Sequence, residues 1–218
     1  MIYLSDIERD AVAEAFNLGM GAAGNALSEM LGREVELSVP YVNIEKRIDA
    51  VANMLQNGHT DLSGVKEEFS RNQISGVREE FNGPFEGAAL LLFPEERSLE
   101  LVRMLLQQPD IDAEMLSEME QEALVEVGNI ILNACLSAIA EIVGGEIVNE
   151  IPEAVKGTID DIIRQAGQDK PEEFVMKLHM HFDVAEVKIE GDIAFIMDIN
   201  SLDSFRVRLS EYFGFDAA

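Results

Sequence analysis

Residues 10–40 read DAVAEAFNLGMGAAGNALSEMLGREVELSVP, and residues 122–152 read EALVEVGNIILNACLSAIAEIVGGEIVNEIP. Superposed with a shift of 112 positions, Asp10 falls on Glu122, Glu14 on Glu126, Asn17 on Asn129 and Pro40 on Pro152. Both copies keep one frame: an acid, three residues, Glu, two residues, Asn, 22 residues, Pro. Chance produces one such frame, but two in matching surroundings mark an internal duplication.

The spacing is that of a helix. Glu and Asn at i and i+3 are surface neighbours, and the acid at i−4 joins the same face. At about 100° per residue, Asp10, Glu14, Asn17, Gly21 and Ser28 form one stripe, with Val12, Phe16, Gly19, Ala23, Leu27 and Met30 opposite. The second copy sets Glu122, Glu126, Asn129, Asn133 and Ser137 against Leu124, Gly128, Ile131, Cys135, Ile139 and Ile142. Each copy is therefore an amphipathic helix whose polar ridge carries a carboxylate beside a carboxamide.

Outward from the first helix, Ser5 and Glu8 make a capping box and Gly32 a stop. GREVELSVPYVNI then alternates like a strand, and Pro40 within it favours an edge or a bulge. IEKRIDAVANMLQN has helical spacing, with Ile44, Ile48, Val51 and Leu55 on one side. SGVKEEF (63–69) and SGVREEF (75–81) repeat at 12 residues and fit two strands or two turns of helix. The stretch 44–82 reads as an elaboration, a solvated insertion or a partner surface. GAALLLF (87–93) is a strand, and SLELVRMLLQ a helix with Leu99, Val102, Leu105 and Leu106 on one side. Gln108-Pro109-Asp110 breaks the chain at its midpoint.

In the second half EIVNEIPEAV repeats the role of 34–43, and 156–172 is helical or linking. FVMKLHMHFDV and AEVKIEGDIAFIMDI read as paired long strands before a final helix near SLDSFRVRLSEYF. The halves end alike, GAALLLFPEERSLELVRML against GDIAFIMDINSLDSFRVRL. The reading is one α+β domain with antiparallel strands, built over 1–218 from repeats at about 5–108 and 112–215 about a pseudo-two-fold axis.

Composition bounds the function. The net charge of −26 excludes nucleic acid and anionic membranes as partners, because their phosphates would be repelled. It suits a partner with a basic surface, and equally a halophilic or solubility trait. Cys135, the one cysteine, lies on an apolar stripe and reads as a small buried hydrophobe in a reducing compartment. MIYLSDIERD is no signal peptide, and no apolar run is read as approaching the roughly 20 residues that span a bilayer. The expected location is the cytoplasm.

Two further motifs are weighed and set aside. Gly19 to Gly24 matches GxGxxG, with Glu45 downstream, but a helical pattern precedes it where a dinucleotide site needs a strand. His179 and His181 form HxH on a strand and share a face; with no further ligand cluster evident in the sequence, no metal site is expected.

The paired frames resemble those of the CheC/CheX/FliY family of chemotaxis phosphatases, whose members carry Asp or Ser, then Glu, Asn and a distant Pro at this spacing. NLGMGAAGNALSEMLG and VGNIILNACLSAIAEIVGG also resemble that family's two motif helices. Two motifs without an added flagellar-switch domain are more similar to CheC than to CheX or FliY. The resemblance implies a fold with the motif helices side by side and hydrolysis of the aspartyl phosphate of a CheY-type response regulator. It implies that Asn17 and Asn129 orient water, that Glu14 and Glu126 pair with the regulator's lysine, and that Asp10 and Glu122 support docking. Pro40 and Pro152 shape the following strand. No cofactor of its own is implied, since the regulator carries the Mg²⁺, and a further implied partner is the CheD deamidase. The second frame opens with Glu122 where the family has Asp or Ser, which sets that site apart from the first. The alternative is a non-catalytic binding or assembly module of the same fold, resembling the FliM middle domain, whose relatives lack the Glu–Asn pair that this chain keeps twice.

Overall fold

The computed structural model describes residues 4–56, 73–106, 113–167, 173–184 and 187–214. Its first helix, α1 (Asp6–Leu31), begins at the predicted capping box. Ser5 Oγ accepts from the Glu8 N–H at 3.3 Å, and the Ser5 N–H donates to the Glu8 carboxylate at 2.7 Å. It stops at Gly32, whose φ of 62° is the left-handed conformation that glycine adopts without a steric penalty. The chain continues through β1 (Val35–Lys46), α2 (Arg47–Gln56), β2 (Ile74–Asn82), β3 (Gly87–Pro94) and α3 (Glu95–Leu106). The second half runs α4 (Ala113–Val143), β4 (Val148–Asn149), β5 (Glu153–Gly157), α5 (Ile159–Ala166), β6 (Phe174–Val184), β7 (Val187–Met197) and α6 (Ile199–Phe213).

The strands make one antiparallel sheet in the order β1-β6-β7-β3-β2-β4, with β5 also on β2. At its centre Leu90 of β3 pairs with Ala194 of β7. These are the fourth residues of GAALLLFP and GDIAFIMD, so a local two-fold axis passes through the pair. Outward from it the halves exchange strands: β1 of the first half pairs with β6 of the second, and β4 and β5 pair with β2. Pro40 sits at an edge and a bulge together, because β1 ends the sheet and its register on β6 shifts between Ser38 and Tyr41. A residue without an N–H is tolerated there.

Alternating side chains feed two cores. Leu91, Phe93, Val77, Phe81, Leu178 and Phe182 face a large core closed by α1, α3, α4 and α6, with Phe16, Leu27, Ile131 and Phe205. On the reverse face Leu90, Leu92, Ile74 and Val175 meet a smaller core with Ala50 and Met54 of α2 and Ile159, Ile162 and Ile163 of α5. The motif helices touch each other closely: a Cβ on Gly19 would stand 2.8 Å from the Ala134 carbonyl oxygen.

Several sequence expectations are corrected. Ile44 is buried in β1, and α2 buries Ala50 and Met54 while Ile48 is 69% exposed, because the chain stays extended to Lys46 and the helix starts in a different phase. α3 buries Ser98, Leu101 and Val102, with Leu99, Leu105 and Leu106 only partly covered. Its rotation brings the Ser98 hydroxyl onto the buried Glu120 of α4. Residues 63–69 lie outside the described residues, but SGVREEF is β2, an internal strand, so 74–82 is no insertion. Met30, assigned to the apolar stripe of α1, is 40% exposed near the helix end. Of 156–172, residues to Gly157 are strand before α5 begins. Finally, Met119–Val143 of α4 is long and apolar enough to cross a bilayer by length and composition, although it carries Glu120, Glu122, Glu126 and Glu141. Here its Leu124, Val127, Ile131, Cys135 and Ile139 are buried in the large core.

Candidate functional site

The two polar ridges lie on α1 and α4, which pack side by side. Asp10, Glu14, Glu122, Glu126 and Asn129 are exposed, and Asn17 is half-buried. Among the described residues none of the four carboxylates has an ion pair or hydrogen bond. Each ridge therefore presents uncompensated negative charge to whatever docks there.

The two asparagines differ. Asn17 Nδ2 donates to the Val39 carbonyl at 3.0 Å, and its Oδ1 accepts from the Val39 N–H at 2.8 Å. This two-point bond grips β1 one residue before Pro40, at the bulge. It uses one donor and one acceptor of the amide, leaving one N–H and one lone pair directed away from the strand. In the second half the corresponding residue before Pro152 is Ile151, which is 87% exposed between β4 and β5. Asn129 instead accepts from Asn133 Nδ2 at 2.8 Å, and among the described residues its own Nδ2 has no partner.

A side-chain chain runs inward from there. Asn133 also donates to the Asn129 carbonyl at 2.7 Å, and its Oδ1 accepts from Asn149 Nδ2 at 2.9 Å. Asn149 in turn donates to Glu79 Oε1. Glu79 is 1% exposed, and among the described residues its Oε2 has no hydrogen-bond partner. Burial raises its pKa above the ordinary carboxylate value, and the Asn149 bond works in the opposite direction. Sequence reasoning placed Asn133 on the ridge but missed Asn149 and Glu79. The signal was present: in SGVREEF, Glu79 shares the inward phase of Val77 and Phe81.

Asp10 also borders a groove of about 260 Å³ between the start of α1 and the bulge, together with Arg9, Pro40 and Asn43. A cavity of about 320 Å³ beside Arg78, Glu86, Glu173 and Asp198 contains no motif residue. Gly19 to Gly24 lie in mid-helix, preceded directly by the first turns of α1 where a phosphate loop would follow a strand, so they form no such loop. Gly21 is exposed on α1, whereas Ser28 is half-buried, its hydroxyl accepting from the Val35 N–H at 2.9 Å.

Strand pairing adds a neighbour to HxH that was not evident in the sequence. His179 and His181 share a face as expected, and β7 brings Glu190 to both. This trio is, among the described residues, the one group of three ligand side chains close enough to hold a metal ion. Tyr41 stacks on His179 with ring centroids 5.4 Å apart. Its hydroxyl pKa is pushed up to about 12, by burial first and then by Asp192 and Glu190.

Comparison with known proteins agrees with this architecture. Residues 7–44 match the CheC-like family. The chain is 24% identical over 152 residues to the CheY-P phosphatase CheC of Bacillus subtilis, a match covering 69% of this chain and 66% of that protein. It is 22% identical over 210 residues to a putative CheY-P phosphatase, CheC1, of Halobacterium salinarum, covering 93% of this chain and 100% of that one. Among solved structures, Thermotoga maritima FliY superposes with a TM-score of 0.72 at 18% identity, covering 97% of this chain and 100% of the other. The α+β fold is the one this chain shares with FliY.

Proposed function

We propose that the chain is a CheC-like protein that hydrolyses the aspartyl phosphate of a CheY-type response regulator, a reading supported by the match of residues 7–44 and by its likeness to CheC. The observation that carries this reading is the pair of exposed ridges, each with a carboxylate beside a carboxamide and none of them neutralised by the chain itself. The ridges supply no strong nucleophile, and asparagine is neither acid nor base near neutral pH. What they offer is charge and position, which account for most of the catalysis in phosphoryl transfer.

In this reading Glu14 or Glu126 pairs with the lysine beside the regulator's phosphate, and Asp10 and Glu122 support docking. The neighbouring Asn holds a water in line with the phosphorus. Water oxygen bonds to phosphorus, the bond to the aspartyl oxygen breaks, and the regulator's carboxylate leaves as inorganic phosphate forms. The regulator supplies its own Mg²⁺. Asn129 has an open N–H and Asn17 retains one N–H and one lone pair beyond its strand bonds, so both copies keep a way to hold water. Asn17 is the more firmly oriented of the two, and Asn129 the more accessible.

The test is decay of a phosphorylated CheY-type regulator with the wild-type chain, Asn17→Ala, Asn129→Ala and the double variant. Accelerated decay lost in the double variant supports the phosphatase. Binding without acceleration overturns it in favour of a non-catalytic module of the same fold.

A further inference from the structure

The strand face turned away from α1 and α4 carries its own chemistry. In β6, Leu178, Met180 and Phe182 enter the large core, so His179 and His181 point to the opposite side of the sheet. The register of β6 on β7 sets His181 across from Glu190 and His179 across from Asp192. One carboxylate serves both imidazoles: Glu190 Oε2 is 3.9 Å from His179 Nε2, and Oε1 is 3.9 Å from His181 Nε2. The three ligand atoms lie within 4.8 Å of one another.

We propose that His179, His181 and Glu190 form a divalent transition-metal site of the zinc class, with Asp192 as the residue that orients His179. Tetrahedral zinc with bonds of about 2.0–2.2 Å sets its ligand atoms roughly 3.3–3.6 Å apart. The two 3.9 Å separations, made to different Glu190 oxygens, would have to shorten by about half an ångström, and a pair as wide as 4.8 Å by about an ångström or slightly more, so the side chains must rotate inward to bind. Asp192 Oδ1 stands 3.2 Å from His179 Nδ1. A proton on Nδ1 directed at that carboxylate leaves the Nε2 lone pair for a metal, the arrangement that fixes tautomer and ring plane in metal-bound histidines. Asp192 is itself buried, with Lys177 3.7 Å from its second oxygen, and His179 is held against the ring of Tyr41.

Two imidazoles with one carboxylate select zinc, or cobalt, nickel and copper, over Mg²⁺ and Ca²⁺, which prefer oxygen ligands. His181 and Glu190 reach solvent while His179 does not, so metal enters from their side and retains water in the remaining position. The site is distinct from the Glu–Asn ridges and stands or falls apart from the phosphatase reading.

Chelator-stripped full-length protein is titrated with Zn²⁺ in competition with a chromophoric chelator, and with Co²⁺ followed by visible absorption. One equivalent of Zn²⁺ and a cobalt spectrum of low coordination number are expected. His181→Ala and Glu190→Gln each weaken binding at least tenfold, and Asp192→Asn weakens it by about 10–100-fold. Because His181 and Glu190 are surface-accessible, unchanged circular dichroism shows that these two variants fold. Binding that the His181→Ala/Glu190→Gln double variant retains in full overturns the site and assigns the ion to the acidic surface, and so does the absence of one-equivalent binding in the wild type.

Discussion

The two motif asparagines, equivalent in sequence, should differ in what they do for stability. Replacing Asn17 by Ala removes both bonds to Val39 and leaves a strand N–H and C=O without those partners at the bulge. Each such bond contributes a net of about 1 kcal/mol, so the gross loss is about 2 kcal/mol. The gain in helix propensity from Asn to Ala returns at most about 0.7 kcal/mol. The expected net loss is about 1–2 kcal/mol, which in a chain of this size lowers Tm by roughly 3–8 °C. Asn129→Ala removes one exposed bond from Asn133, which keeps the Asn129 carbonyl, so its change should stay within about 0.5 kcal/mol. Asn17→Asp should be no better than Ala, since it keeps the acceptor for the Val39 N–H but sets a carboxylate against the Val39 carbonyl. Urea unfolding followed by far-UV circular dichroism and tyrosine fluorescence measures all three. Equal losses at Asn17 and Asn129, or an Asn17→Ala change below about 0.5 kcal/mol, would refute the clamp. The comparison also conditions any activity assay, because lost turnover in Asn17→Ala must be corrected for loss of the bulge geometry.

Two other consequences can be checked on the same instrument. Glu79 is desolvated and its folded pKa is raised, so the unfolded chain releases its proton at lower pH and stability falls as pH climbs from the ordinary Glu value through the folded one. Glu79→Gln should therefore be the more stable protein at pH 7, with its advantage shrinking as the pH is lowered through that window; a constant advantage would contradict the buried-charge account. Within the glycine run, a Cβ added to Gly21 would meet nothing within 4 Å, whereas one added to Gly19 would collide with the Ala134 carbonyl. Gly21→Ala should stabilise by about 0.5–1 kcal/mol and Gly19→Ala should destabilise by about 1–3 kcal/mol, in thermal melts; the reverse order would refute the close helix contact.

What was legible in the sequence was local. The capping box at Ser5, the stop at Gly32 and the special position of Pro40 each follow from a residue's own backbone chemistry, and each is found in the structure. The likeness of GAALLLFP and GDIAFIMD located the strands that meet at the centre of the sheet. The exchange of outer strands between halves was not legible, because pairing partners such as Tyr41 and His179 are set by tertiary packing and leave no mark in spacing. Helix phase failed in α2 for a related reason: Ile48 fits the 3.6-residue period, but the small Ala50 is what lets a short helix approach the sheet. HxH was noticed and the neighbouring Glu190 was not. Once Val184 is known to pair with Val187, counting outward delivers Glu190 to His181 and Asp192 to His179, so the missing information was one register and not a missing residue.

The repeated frame sits in two different surroundings, which is why the two candidate sites are unlike. A repeated helix carries its own ridge, so Glu and Asn survive in both copies at the same offset. The strand that follows is fixed by a partner from the other half, and those partners differ. β1 runs 12 residues along β6 and passes Val39 beneath Asn17. Its counterpart is divided on β2 into β4 and β5, so Ile151 stands in solvent and no backbone is there for Asn129 to grip. Asn129 is held through Asn133 instead, and Asn133 through Asn149 and the buried Glu79. One copy thus orients its amide by backbone and the other by a polar network rooted in the core. The second arrangement is the one that a change at Asn133 or Asn149 can retune without altering the ridge itself.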